Sequence, residues 1–101
     1  IEQVLINLLH NAIDAVSRTT SPSITVGARQ DNDGGAVIFV RDNGEGIDEQ
    51  TAEKIFIPFF TTRKHGSGIG LALVRQILHL HYAQITFKSE KGSGSEFMIR
   101  L

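Results

Sequence analysis

The chain has 101 residues, 41% of them apolar, a formal charge of −1 and no cysteine. That length holds one compact domain with a modest core, and the scattered basic residues exclude the positive footprint of a nucleic-acid binder. Disulfides and thiolate metal sites are excluded as well, and no apolar run approaches the ~18 residues of a membrane helix, so this stretch is expected to be soluble.

Ile1, Val4, Leu5, Leu8, Leu9, Ala12, Ile13 and Val16 recur at steps of three and four, which predicts a helix with one apolar face. The pattern is already under way at Ile1, with no start methionine or capping residue, and reads as a fragment. Pro22 lies in the polar stretch that ends this helix. Over 23–30, Ile24, Val26 and Ala28 alternate with polar neighbours as in a half-buried strand. Asp31-Asn32-Asp33-Gly34-Gly35 is hairpin-turn chemistry, and 36–41 is the returning strand. A glycine-bearing loop over 42–48 leads to a short helix over 49–55, and Pro58 interrupts before a polar stretch, 61–68. A second long helix is predicted over 69–81 through Leu71, Leu73, Val74, Ile77, Leu78 and Leu80. Strands over 84–89, with Ile85 and Phe87 alternating, and over 96–101, with Phe97, Ile99 and Leu101, flank a turn at 90–95. Antiparallel hairpins combined with amphipathic helices predict an α+β fold, a two-layer sandwich with the helices on one face of the sheet.

Three segments carry candidate chemistry. Asn7, Asn11 and Ala15 form a second stripe on the first helix at four-residue steps. Asparagine is a poor helix former, so the stripe is either an exposed polar face or a source of amide oxygens for Mg²⁺, a hard cation that takes few protein ligands. Asp42-Asn43-Gly44-Glu45-Gly46 follows a strand. It is either an ordinary turn or a loop whose carboxylate accepts from an exocyclic amine while the glycines admit a flat ligand. Gly66-Ser67-Gly68-Ile69-Gly70-Leu71 opens the second long helix, and its glycines fit a loop that turns backbone N–H groups toward phosphates. It matches neither the dinucleotide fingerprint nor a Walker A sequence. Thr61, Thr62, Arg63 and Lys64 just before it are either phosphate-binding groups or solvated loop charges.

In this order the segments resemble the ATP-binding domain of sensor histidine kinases, related in outline to gyrase, MutL and the heat-shock chaperone ATPases. Asn7-Leu8-Leu9-His10-Asn11-Ala12 resembles the asparagine box, and Asp42-Asn43-Gly44-Glu45-Gly46 the first glycine box. Phe56-Ile57-Pro58-Phe59-Phe60 is similar to the phenylalanine box, Gly66 to Leu71 to the second glycine box, and Gly92-Ser93-Gly94-Ser95-Glu96-Phe97 to the closing segment. The resemblance spans the whole chain as one ATP-binding domain, residues 1–101, and implies a Bergerat-type fold with a mixed, mainly antiparallel sheet whose amino-terminal strands are missing. It implies ATP and Mg²⁺ as cofactors, with Asn11 as the metal ligand, and with Asn7 and Asn11 the catalytic pair near the phosphates. It implies that Asp42 binds the adenine amine, that Gly44 and Gly46 give the ring room, and that Ser95 helps hold an accompanying water. Gly66, Ser67, Gly68, Gly70 and Leu71 would shape the phosphate end, and Thr62, Arg63 and Lys64 belong to a short, flexible lid similar to that of nitrogen-regulation sensor kinases. Those kinases usually carry a lysine where Arg63 stands, which keeps the charge and changes the hydrogen-bond geometry.

The family's glycine-rich turn after the second long helix is here His81-Tyr82-Ala83. None of His10, His65, His79 and His81 is followed by the acidic residue that marks the family's phosphoacceptor. The resemblance therefore implies that the phosphorylated histidine sits on a separate dimerisation and histidine-phosphotransfer domain of the same protein. The response regulator is then an indirect partner, and the location is cytoplasmic, with any anchor of the parent in the inner membrane. Related ATPases place a water-activating glutamate where Asn7 stands, and an amide cannot take that proton at neutral pH. Phosphoryl transfer to histidine is the expected activity. The alternatives are a non-catalytic ATP-binding module or a related ATPase.

Overall fold

A computed structural model describes residues 2–57 and 70–101. In chain order they form α1 (Glu2–Ala15), β1 (Ile24–Gln30), β2 (Ala36–Asp42), α2 (Glu49–Ala52), α3 (Gly70–Leu80), β3 (Gln84–Glu90) and β4 (Gly94–Arg100). The four strands make one sheet in the order β1-β2-β4-β3. All three pairings are antiparallel, so the mixed character expected of the sheet is not carried by these strands.

The register stacks like with like. On one face, Ala28, Ile38, Ile99 and Ile85 form one cross-strand row, and Val26, Val40, Phe97 and Phe87 the next. The helices cover that face, with α1 packed on β2 and on α3, and α3 on β3. Val4, Leu8 and Ala12, one per turn of α1, are buried there, as are Val74 and Leu78 of α3. Truncating Leu8, Leu78 or Ile99, all at most 1% exposed, would cost about 2–5 kcal/mol each. Phe87 stacks on Phe97 with centroids 5.5 Å apart and meets Phe56 edge-on at 6.1 Å, while the Arg75 guanidinium lies 5.2 Å from the Phe56 ring. That aromatic chain fastens the stretch after α2 to the sheet. On the opposite face Phe39 lies between the guanidiniums of Arg29 and Arg41, each 5.2 Å from its centroid.

Several sequence expectations shift. The alternation of β1 does not translate into half-burial: Val26 is 51% exposed, because β1 is an edge strand packed chiefly on β2, beyond the reach of the helices. The short helix expected over 49–55 ends at Ala52. Asp48 caps it by accepting the Thr51 N–H at 2.7 Å, and that bond holds the Asp48 carboxyl below its usual range. Ile55 is buried from the turn that follows. The last strand starts at Gly94, so Ser95, expected in a turn, is a strand residue, and β2 extends to include Asp42.

Helix α3 ends in a Schellman motif, with Ala83 N–H bonded to Leu78 O at 2.8 Å and Tyr82 N–H to His79 O at 3.1 Å. Tyr82 therefore occupies the left-handed position, at φ 58°, with its side chain 97% exposed. A tyrosine there carries a steric penalty that glycine lacks, and its ring gains nothing from packing in return. Tyr82→Gly is expected to stabilise the fold by about 1 kcal/mol. A urea titration checks this, with the midpoint moving up at constant slope.

Candidate functional site

Beyond the two apolar rows the same face of the sheet carries a third, and it is polar. Asp42 is paired with Ser95, and Ser95 with Ser89, while Ile24 closes the row on the β1 side. The row lies at the end of the apolar layer, so its polar groups are shielded on one side by the core. Asp42 is 6% exposed and Ser95 8%.

The Asp42 carboxylate is held by backbone donors. Its Oδ1 accepts the Gly44 N–H at 2.9 Å, and the Ser95 N–H also bonds to the carboxylate. Among the described residues no basic side chain forms an ion pair with it. Burial pushes its carboxyl above the ordinary 3.8, and the two N–H groups only partly offset this. A carboxylate has about four lone-pair sites, so a buried one with two donors is still short of partners.

Ser95 Oγ lies 2.8 Å from Ser89 Oγ. Ser89 accepts the Ile47 N–H at 2.7 Å and also reaches Gly94 O at 3.2 Å. These bonds tie the loop after Asp42 to the two strands beside it. Asn43 anchors the other side of the loop, accepting the Ser23 N–H and donating to Ser21 O, both at 2.8 Å. Gly92 N–H donates to Glu45 O at 2.6 Å.

The loop passes so close to its neighbours that side chains would not fit. A Cβ on Gly44 would collide with the Ala15 carbonyl at the end of α1. One on Gly46, which sits at φ +71°, would collide with the Glu90 carbonyl. At these two positions the glycines let backbone meet backbone, and the packing accounts for them without a ligand.

The contact with Ala15 brings the asparagine stripe to the loop, since Asn7, Asn11 and Ala15 follow one another at single turns of α1. The Nδ2 atoms of Asn7 and Asn11 are both buried and, among the described residues, lack hydrogen-bond partners. Gln3 Nε2 reaches Asn7 Oδ1 at a long 3.5 Å. A buried unpaired amide costs about 1–3 kcal/mol, and two on one stripe fit a polar ligand that would satisfy them. An amide donates through nitrogen and accepts through oxygen, so these residues suit phosphate oxygens, and a hard cation after a half-turn of the amide. Among the described residues no cluster of His, Cys, Asp or Glu could hold a metal.

Of the residues singled out from sequence, Asp42, Gly44, Gly46 and Ser95 come together with the Asn7–Asn11 stripe beside them. Gly70 and Leu71 start α3. A Cβ on Gly70 would meet nothing within 4 Å, and the Leu71 side chain packs on the core. Thr62, Arg63, Lys64, Gly66, Ser67 and Gly68 lie outside the described residues, as does the rest of the expected lid. Ser89 was missed. Its signal was parity, because it continues the Ile85 and Phe87 alternation onto the covered face.

The family model for histidine kinase-, DNA gyrase B- and HSP90-like ATPases matches residues 1–101. The chain is 43% identical over 99 residues to sensor histidine kinase ZraS of Salmonella typhi, covering 98% of this chain and 21% of that protein. It is 41% identical over 101 residues to signal transduction histidine-protein kinase AtoS of Escherichia coli, covering 100% of this chain and 16% of AtoS. It thus spans about a fifth of the length of these relatives. The catalytic domain of histidine kinase ThkA superposes with a TM-score of 0.80 at 34% identity, covering 98% of this chain and 63% of that one. The mycobacterial sensor histidine kinase MprB superposes with a TM-score of 0.84 at 26% identity, covering 98% and 69%. Among the described residues no helix is long and apolar enough to cross a membrane.

The buried carboxylate gives a prediction independent of any ligand. A raised carboxyl pKa in the folded state opposes folding once the group is ionised. Asp42 therefore costs stability progressively as pH rises from 3.8, its unfolded value, through its folded value. Asp42→Asn removes that dependence. The melting temperature of Asp42→Asn minus that of wild type is expected to be larger at pH 7 than at pH 3. A difference that does not change with pH would mean the carboxylate is not perturbed.

Proposed function

Since the chain belongs to the histidine kinase-, DNA gyrase B- and HSP90-like ATPase family, we propose that it is the ATP-binding catalytic domain of a sensor histidine kinase. In this reading it binds ATP with Mg²⁺ and delivers the γ-phosphate to a histidine on a separate dimerisation and phosphotransfer domain, in two-component signalling. The observation that carries the reading is the buried Asp42 carboxylate, with no basic partner among the described residues and with the buried Nδ2 atoms of Asn7 and Asn11, unpartnered among the described residues, nearby on α1.

Asp42 accepts the adenine amine. Ser95, next to Asp42 on the neighbouring strand, supplies a hydroxyl to the same ring edge. Asn7 and Asn11 meet the phosphates, and Asn11 Oδ1 would hold the Mg²⁺. When bound, that ion supplies charge neutralisation across the phosphate oxygens. Thr62, Arg63 and Lys64 would offer donors to the phosphate oxygens, with Gly66, Ser67 and Gly68 shaping the phosphate end, and Gly70 and Leu71 stand at the start of α3. Asn7 leaves no general base one turn before Asn11, so water is not activated there. The domain's contribution is positioning and charge complementarity toward a nucleophile that the partner domain brings.

Isothermal calorimetry with ATP and Mg²⁺ checks the adenine contact. Asp42→Asn is expected to lose roughly 1.5–3 kcal/mol of binding, the worth of a charge-assisted hydrogen bond, and equal affinities would remove adenine recognition from this residue. Asn11→Ala separates function from fold. It deletes a buried Nδ2 that lacks a partner among the described residues and installs the better helix former, so stability is expected to hold or to rise by about 0.5 kcal/mol. Transfer of phosphate, in acid-labile and base-stable form, to a supplied histidine domain should nevertheless be abolished. Retained transfer would take Asn11 out of the chemistry.

A further inference from the structure

Asn43 is exposed, yet it makes three bonds to one short stretch of the connection between α1 and β1. Its main-chain N–H donates to Ser23 O at 3.2 Å, its Oδ1 accepts the Ser23 N–H at 2.8 Å, and its Nδ2 donates to Ser21 O at 2.8 Å. The strand register explains these partners. Pairs between β1 and β2 run from Gln30 with Ala36 to Ile24 with Asp42, so Ser23 and Asn43 stand where the next pair would form. In an antiparallel ladder every second pair exchanges two N–H···O bonds between main chains. Asp31 and Gly35 share the parity of Ser23 and Asn43, and there the Asp31 N–H meets Gly35 O at 2.8 Å. At Ser23 and Asn43 one of the two bonds is ordinary. In the other, a side-chain oxygen stands where the Asn43 main-chain oxygen would.

This substitution releases the Asn43 carbonyl from the ladder, so the chain can leave the sheet directly after Asp42. The next N–H, that of Gly44, turns back onto Asp42 Oδ1 at 2.9 Å in an Asx turn, and Gly44 comes to lie against the Ala15 carbonyl. The competing arrangement is a ladder one regular pair longer, with the Ser23 N–H on the Asn43 main-chain oxygen. It would carry Gly44 onward along the strand, and the carboxylate would lose a donor. Pro22 favours the observed arrangement from the other side, because the residue before a proline is held extended, and here that residue is Ser21, the acceptor of Asn43 Nδ2.

We propose that Asn43 is a positioning residue whose side-chain amide stands in for its own main-chain carbonyl, holds the Gly44 N–H on the Asp42 carboxylate, and so sets nucleotide affinity without touching the nucleotide. The effect on affinity rests on the nucleotide-binding reading of the site; the hold on Gly44 does not.

The test compares wild type, Asn43→Ala, Asn43→Asp, Asp42→Asn and the double variant Asp42→Asn/Asn43→Ala by NMR and by calorimetry with ATP and Mg²⁺. In Asn43→Ala the Gly44 amide should exchange with solvent about tenfold faster relative to the amides of β2 and β4, as in a local opening. The Asp42 carboxyl should titrate at higher pH than in wild type, because a donor that holds it down is lost. ATP affinity should fall about tenfold, equivalent to about 1.4 kcal/mol. Asn43→Asp keeps an acceptor for the Ser23 N–H, so it should keep Gly44 protected. In the Asp42→Asn background, Asn43→Ala should change ATP affinity little, because the effect runs through the carboxylate. A purely structural Asn43 would speed exchange at Gly44, β2 and β4 alike and leave the Asp42 titration in place, and that result overturns the proposal. So does a full tenfold loss from Asn43→Ala in the absence of the Asp42 carboxylate. If Asn43→Ala does not fold, Asn43→Ser, whose shorter side chain cannot span Ser21 and Ser23 together, gives the same comparison. Wild type that fails to bind ATP would overturn the nucleotide reading and the effect on affinity with it, while Gly44 exchange and Asp42 titration still decide whether Asn43 positions the carboxylate.

Discussion

Burial of the Asp42 carboxylate at the polar end of an otherwise apolar sheet face is the constraint on which the rest of the site depends. A charged group there needs donors, and the chain supplies them from its own backbone. The Gly44 N–H comes from a loop that doubles back at once, and the Ser95 N–H from the adjacent strand. The loop can double back only because Gly44 and Gly46 let it lie against the Ala15 and Glu90 carbonyls. Those contacts couple the loop to the end of α1 on one side and to the β3–β4 turn on the other. The asparagines of α1 and the serines of β3 and β4 are therefore held relative to one carboxylate by backbone packing.

The arrangement is costly to the empty fold. Asp42 has a raised pKa, and Asn7 and Asn11 each leave a buried nitrogen without a partner among the described residues. An apolar core of this size has little stability to spare. The segments Ile38–Ile99–Ile85 and Val40–Phe97–Phe87 of the two rows, covered by Val4, Leu8, Val74 and Leu78, offset the cost. Unsatisfied groups gathered in one place, while the remaining core is apolar, are the pattern expected where local rules give way to function, and they support the proposed nucleotide site. The family match and the likeness to sensor kinase catalytic domains agree with what that ligand would be.

Much of this could be read from sequence where one element carries the information. The four-residue spacing of Val4, Leu8 and Ala12, with Asn7 and Asn11 on the adjacent stripe, is a property of one helix and was legible. So was the turn chemistry around Asp42 and Gly44. Information that depends on pairing was hidden. Strand alternation by itself does not place Ser95 opposite Asp42 or Ser89 opposite Ser95, because register is fixed by all three strands together; the family resemblance alone associated Ser95 with Asp42. The exposure of Val26 follows from the edge position of β1, which its own alternation does not disclose. The glycines at 44 and 46 were legible as necessary, but the reason first read for them, room for a flat ring, differs from the backbone contacts that occupy their space. Tyr82 shows the opposite failing: the sequence marks a departure from glycine, and only the backbone reveals that the helix ends left-handed all the same.

The central claim is that the row formed by Asp42 and Ser95 reads an adenine ring while the asparagine stripe meets its phosphates. An experimental structure of the complex with ATP and Mg²⁺ tests this most directly. The account predicts the 6-amino nitrogen within about 3.2 Å of an Asp42 carboxylate oxygen, with phosphate oxygens or the metal against the side chains of Asn7 and Asn11. An adenine ring bound elsewhere, or turned so that its amine faces solvent while Asp42 keeps only its backbone donors, would contradict it.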